Sequence, residues 1–201
     1  MNQPTAAMDW NAMFRASRTP WERPTLHPAF VTWRASGSLA PCRILLPGAG
    51  RSGEPLALAK DGFNVTAVDM AEVAVEVQRV RLEAAGLRGS AFQADLMAWE
   101  PDAPFDAIYD QTCLCALPPV ILPDYVRRLH RWLSPGGKLF ILFMQTGSKA
   151  GPPFDCPIDR MRLLFGVGWA WPESLGPPIV HGMGTATGMS THEIPVVLTR
   201  M

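Results

Sequence analysis

Cys42-Arg-Ile-Leu-Leu46-Pro47-Gly48-Ala-Gly50-Arg-Ser-Gly53-Glu54-Pro55 is the stretch whose reading decides the fold. Residues 42–46 are an apolar run of strand length, and glycines follow it at once. Glu54-Pro55 then opens a helix, because proline is tolerated in a first turn and an acid complements the helix dipole. That helix runs to a glycine stop at Gly62. Strand, glycine turn and helix form the start of a βαβ unit.

Further along the chain the pattern repeats. Val65-Thr-Ala-Val68 is the next strand, with Asp69 at its end. Residues 71–85 read as a helix with Val73, Val77, Val80 and Ala84 on one face, stopped by Gly86. Residues 91–95 and 105–109 are a third and a fourth strand. A helix over 120–133 places Leu122, Tyr125, Leu129 and Trp132 on its apolar side. Ser134-Pro-Gly-Gly137 closes it, and Lys138 to Met144 is a uniformly apolar fifth strand, as burial on both faces requires. Five strands alternating with helices imply a mostly parallel sheet with right-handed crossovers. Before this core, residues 6–17 read as a helix with Trp10 and Phe14 one turn apart, and 27–33 as a short second helix. After it come a short helix over 157–165, a Pro- and Gly-rich stretch, and a last strand over 194–199.

The chain has 201 residues, 48% of them hydrophobic and 18% charged, which is one ordinary folded domain. Lys+Arg and Asp+Glu are both 18, so there is no global basic field for nucleic acid or an anionic membrane. The longest apolar run is too short to span a bilayer, and the first residues lack the pattern of a secretory signal. Four cysteines do not make a disulfide scaffold, and Cys113-x-Cys115 without a second pair is far from zinc spacing. The expectation is a cytoplasmic monomer with no metal, no nucleic-acid partner and no membrane partner.

Gly48-x-Gly50-x-x-Gly53 after a strand lets backbone approach a ligand closely, and Asp69 at the end of the second strand is placed to accept both hydroxyls of a ribose. This set suits a nicotinamide dinucleotide or S-adenosylmethionine. The modest length and the final strand after an irregular tail favour the latter, as does Ser134-Pro-Gly-Gly137, which resembles the same stretch of class I methyltransferases.

The resemblance sharpens at Asp110-Gln-Thr-Cys-Leu-Cys-Ala-Leu-Pro-Pro119, Gly151-Pro-Pro-Phe154 and Leu164-Phe-Gly166. With the spacing of Trp10, Phe14 and Trp21, the last within Thr19-Pro20-Trp21, these stretches are similar to the thiopurine S-methyltransferase family. On spacing alone the three aromatics read as a helix packed on the core. The resemblance implies a class I methyltransferase fold of the Rossmann-like α/β type. Its sheet has seven mostly parallel strands with helices on both faces. It implies one domain, with an N-terminal lid in 1–40, a cofactor-binding core in 41–150 and an acceptor side in 151–201.

It further implies S-adenosylmethionine as cofactor and a small thiol or thiopurine-like acceptor, methylated on sulfur. Trp10, Phe14 and Trp21 are then the lid, Gly48 the close backbone contact, Asp69 the holder of the ribose hydroxyls, and Asp95 and Leu96 the adenine flank, with Gly50 and Met70 as further cofactor-binding residues. Gln111 stands where relatives place an Arg or Tyr near the cofactor. Phe154, Cys113 and Met144 are the candidates on the acceptor side, with Met183 and Met189 as further apolar lining. Arg51, Asp155, His181 and His192 are the candidates for a base or a positive neighbour, and the residues do not rank them. Oxygen or nitrogen methylation of a small molecule, a non-catalytic cofactor binder and a nicotinamide-binding domain remain as alternatives.

Overall fold

The computed structural model describes residues 8–184 and 190–201. Its elements alternate as the sequence predicts. They are α1 (Trp10–Arg15), α2 (Pro28–Ala35), β1 (Arg43–Pro47), α3 (Glu54–Lys60), β2 (Asn64–Asp69), α4 (Glu72–Ala84), β3 (Gly89–Gln93), β4 (Phe105–Asp110), α5 (Cys113–Ala116), α6 (Leu122–Trp132), β5 (Leu133–Gln145), α7 (Ile158–Leu164), β6 (Trp169–Ala170), β7 (Ile179–Gly184) and β8 (Ser190–Arg200).

The strands lie in the order β3-β2-β1-β4-β5-β8-β6, with β7 also paired to β8. Strands β1 to β5 are parallel and β8 runs antiparallel to β5. Thr199 pairs with both Lys138 and Ala170, and His192 with both Gln145 and Val180, so β6 and β7 share the outer edge of β8. The seven expected positions are therefore present, the last of them filled by two short segments. Their residues carry no strand period, since prolines and glycines interrupt 172–184.

Two apolar cores flank the sheet. One packs Tyr125, Leu129 and Trp132 of α6 with Phe165 and Trp169. The other packs Phe30 and Trp33 of α2 with Leu58 of α3, Phe63 and Leu82. The apolar side expected for α6 is buried, with Val126 added to it. For α4 the expected stripe is corrected. Ala74, Val75, Gln78 and Leu82 are the buried residues, whereas Val80 and Ala84 are exposed. Val73 instead turns toward α1, and Val77 toward the cleft described below. Two neighbours claim different faces of this helix, so a single apolar stripe misreads it.

Strand β5 begins at Leu133, earlier than predicted. Leu133 pairs with Phe105 and Lys138 with Ala107, so Ser134–Gly137 bulges out between them. Chain order reverses between β1 and β4, because β1 to β3 run to one side and β4 and β5 to the other. Ligands of open α/β sheets bind at such a switch point, beyond the carboxyl ends of the strands.

Candidate functional site

A cavity of about 1380 Å³ opens at that point. Its floor is the glycine turn after β1. Gly48 and Gly50 both have positive φ, +57° and +54°. A Cβ on Gly48 would lie 2.9 Å from Cβ and 3.0 Å from Sγ of Cys113, and one on Gly50 would lie 3.4 Å from the Phe14 ring. Only glycine combines this backbone with this closeness.

The turn is clamped from α4. Gln78 donates through Nε2 to the carbonyls of Gly50 and Ser52, both at 2.9 Å. Arg81 donates through Nη1 to the carbonyls of Arg51 and Ser52. Asp69, at the end of β2, accepts the Gly50 N–H at 2.8 Å on Oδ2 and the Ala71 N–H at 2.8 Å on Oδ1. Burial raises its pKa, and the backbone N–H groups of Ala71, Gly50 and Met70 oppose that rise. A carboxylate has about four lone-pair directions. The Gly50 and Ala71 N–H groups take two and the Met70 N–H approaches a third, which still leaves acceptor capacity toward the cavity.

An aromatic group roofs this end. Trp21 meets Trp10 and Phe14 edge to face, with centroids 5.4 Å and 5.8 Å away. Phe14 is buried against Ala71, just before α4, and Ala74 within it. Asn11 accepts the Val73 N–H at 3.1 Å on Oδ1, capping the otherwise uncapped start of α4 from α1. One ion-pair link completes this roof, and a second lies farther along the cavity, on the side of β7 and β8. Arg51 donates to both carboxylate oxygens of Glu22, at 2.8 and 2.5 Å. Arg23 donates to Glu193 at 2.8 Å.

Trp10, Phe14, Trp21, Gly48, Gly50, Asp69, Met70, Asp95, Leu96, Gln111 and Cys113 all line the cavity. Met70 is 51% exposed, so about half of this apolar residue lacks protein cover. Asp95 accepts the Met97 N–H at 2.8 Å, which shapes the turn after β3. Gln111 accepts the Tyr109 hydroxyl at 2.9 Å.

Two acceptor-side candidates are not brought to this wall. Met144 is fully buried in the core beside Phe143, because β5 is covered on both faces. Phe154 is half-buried and pins the Gly151–Pro153 turn instead. Its N–H donates to the Cys115 carbonyl at 2.6 Å, and a Cβ on Gly151 would come within 2.5 Å of its ring. Gly151, Pro152 and Pro153 line the cavity in its place. Met189 lies outside the described residues, as does the side chain of Met183.

Of the candidate bases only Arg51 reaches the cavity, and it is held by Glu22. Asp155 accepts the N–H groups of Thr146 and Gly147. His181 is buried 3.0 Å from Glu193. His192 is half-buried on β8, off the wall. The cavity thiols cannot serve either. Burial first, then the Asp110 charge, lifts Cys113 well above its usual range, and burial with the nearby Cys156, Asp110 and Glu193 does the same to Cys115.

The sequence alone does not mark Glu22, Arg23, Gln78 and Glu193 as site residues. Gln78 carried a signal, a lone amide within the buried α4 positions. Arg23 and Glu193 are 170 residues apart and carried none.

These features match known proteins. The model of the thiopurine S-methyltransferase family matches residues 5–176. A thiopurine S-methyltransferase of Pseudomonas fluorescens is 32% identical over 178 residues, covering 80% of this chain and 82% of the relative. A probable thiol methyltransferase of Arabidopsis thaliana is 30% identical over 154 residues, covering 75% and 68%. One solved structure comes from work on the conversion of a disulfide bond into a thioacetal group in echinomycin biosynthesis. It superposes with a TM-score of 0.75 at 25% identity, covering 95% of this chain and 91% of its own. A Burkholderia thailandensis 1,6-didemethyltoxoflavin N1-methyltransferase, solved with S-adenosylhomocysteine, shares the fold with a TM-score of 0.72 at 20% identity, covering 100% and 93%. The glycine cradle, a carboxylate with free acceptor capacity and a half-exposed Met70 fit a nucleoside-bearing cofactor, and the chain belongs to the thiopurine S-methyltransferase family of S-adenosylmethionine-dependent S-methyltransferases.

Proposed function

We propose that this protein transfers a methyl group to the sulfur of a small thiol or thiopurine-like acceptor, leaving a methyl thioether. One observation carries the reading. Among the described residues, the half of the cavity beyond Gln111 holds no free general base. Tyr109 is pushed well above its usual pKa by burial and by the charges of Glu54 and Glu193, and the Cys113 and Cys115 thiols are held protonated. Glu54 accepts the His27 N–H at 2.8 Å. An acceptor must therefore arrive with its own reactive electron pair. A thiolate does so near neutral pH, whereas an alcohol needs a base.

When bound, S-adenosylmethionine supplies a methyl group on a positively charged sulfur. Asp69 is assigned to the ribose hydroxyls, Gly48 and Gly50 to close backbone contact, and Met70, Asp95 and Leu96 to the adenine. Trp10, Phe14 and Trp21 close over that end and exclude water. Gln111 and Cys113 stand between the two halves of the cavity and form part of its wall. The chain's main contribution is alignment, which can supply about 7–11 kcal/mol of a displacement barrier. An acceptor thiolate held against this wall would take the methyl group on its lone pair while the cofactor's sulfur kept the electrons of the broken bond, so both charges would be lost.

We further read residues 1–201 as one unit, with lid, core and acceptor side divided at residues 40 and 150, working in the cytoplasm as a monomer. No helix among the described residues is long and apolar enough to cross a membrane. The test is S-adenosylhomocysteine formation over a panel of aromatic and aliphatic thiols, thiopurines, sulfide, iodide, catechols and amines. Turnover of sulfur acceptors is expected. Turnover of catechols or amines alone overturns the reading.

A further inference from the structure

Three arginines line the cavity among its described residues, and they are placed differently. Arg51 is occupied by Glu22, and Arg81 by the carbonyls of the glycine turn. Both stand at the β1–β2 end, beside Asp69. Arg23 stands on the other side. Its Nη2 donates to Glu193 Oε2 at 2.8 Å and to the Val180 carbonyl at 3.2 Å. These residues belong to β8 and β7, which lie beyond β5 and away from β2 and β3. Arg23 is thus the cation of the acceptor half. Its side chain is 20% exposed, and its Nη1 pairs with no described residue.

Beneath it lies a built support. Glu193 is fully buried. His27 Nε2 is 2.9 Å from its Oε2, and His181 Nδ1 is 3.0 Å from its Oε1. The Ala29 N–H donates to His27 Nδ1 at 3.1 Å, so the ring proton sits on Nε2 and points at Glu193. Arg23 and His27 hold the carboxylate through Oε2, while His181 approaches Oε1 closely without an aligned hydrogen bond, and the carboxylate so held fixes the guanidinium in turn. It also offsets a positive charge that would otherwise repel a sulfonium in the same cavity.

We propose that Arg23 is the acceptor-binding residue that selects ionised sulfur, with Glu193, His27 and His181 as its buried positioning support. This rests on the sulfur-acceptor reading above. A guanidinium at the wall favours a thiolate over its thiol. Once methylated, the acceptor is neutral and loses that attraction, which assists release. Arg23 therefore acts on the ground state of the acceptor, and its loss raises KM rather than lowering kcat.

The probe is thiocyanate, a sulfur anion at any working pH, titrated calorimetrically into the protein saturated with S-adenosylhomocysteine. Thiocyanate is expected to bind at least tenfold tighter than methyl thiocyanate, its neutral product of similar shape. In Arg23→Gln its affinity falls at least tenfold, while that for S-adenosylhomocysteine stays within twofold. Arg23→Lys restores part of the loss. Equal binding of the anion and the neutral compound by the unaltered protein overturns the proposal, and that comparison holds even if Arg23→Gln does not fold. So does thiocyanate affinity within twofold in a folded Arg23→Gln. If the unaltered protein turns over only catechols or amines, the sulfur-acceptor reading fails by itself, and the thiocyanate titration still decides the role of Arg23.

Discussion

Glu22 in the segment after α1 and Arg51 in the glycine turn are joined by a two-pronged ion pair, at 2.8 and 2.5 Å. Thr19 adds a hydroxyl to the same carboxylate at 2.5 Å. Burial lifts the Glu22 pKa, but Arg51 and Thr19 together hold it below its ordinary value. The guanidinium also lies over the Phe14 ring, 5.2 Å from its centroid. One residue pair therefore ties the aromatic roof to the cofactor floor.

Glu22→Gln tests that tie. Partly exposed pairs contribute roughly 0–1 kcal/mol to stability, so the melting temperature should move little. Affinity for S-adenosylmethionine, measured by calorimetry, should fall about three- to tenfold, since the roof loses its hold. Unchanged affinity means that the roof is positioned by its aromatic packing alone.

Asp69→Ala removes two backbone contacts as well as the assigned ribose contact. Cofactor affinity should drop at least tenfold. Asp69→Asn keeps the size but only one acceptor oxygen, so its amide loses one of the two backbone N–H bonds; it should still fold, with a lowered melting temperature, and bind the cofactor weakly. Full affinity in Asp69→Asn removes the ribose assignment.

Gly48→Ala should be destabilising by about 1–3 kcal/mol from the positive φ alone. The clash with Cys113 adds to it, because a Cβ would sit 2.9 Å from the Cys113 Cβ. Cys113→Gly removes that second atom. The double variant should therefore recover part of the lost melting temperature but not all of it. No recovery shows that backbone strain is the whole effect.

Two buried carboxylates give opposite acid limbs. Burial raises Glu193, but His181 and His27 outweigh it and hold the group at about 2, against an ordinary 4.5. The stability it contributes is complete above about pH 4.5 and is lost as pH falls toward 2. Asp110 is raised from 3.8 to about 6 by burial, against the Tyr125 hydroxyl and the N–H groups of Leu114 and Cys113. Its folded state binds the proton more tightly, so this contribution grows as pH falls from about 6 to 3.8. Urea midpoints measured from pH 7 to pH 3 should show both limbs. Asp110→Asn should flatten the upper one and Glu193→Gln the lower one. Parallel curves for all three proteins would contradict these assignments.

Much of this was legible because it is local. The strand–glycine–helix run at 42–55 and Asp69 after β2 follow from short-range spacing, which fixes element type and the switch point. Met144 and Phe154 do not line the cavity, and the sequence does not show this, for the opposite reason. Both are apolar residues near β5, and spacing cannot tell a core position from a cavity wall. The split of the outer strand into β6 and β7 was hidden because edge pairing needs no period-2 pattern.

The sequence by itself determined the parallel α/β core, the glycine cradle and the acid facing it, since each is written within one βα unit. Only the tertiary structure decided the cluster at the proposed acceptor side. Arg23 and His27 come from the stretch leading into α2, His181 from β7 and Glu193 from β8, and these three segments meet only because β8 returns antiparallel beside β5. The physical reason is range. Backbone propensity acts over a few residues, whereas a buried carboxylate takes whichever partners the packed chain brings within hydrogen-bond distance.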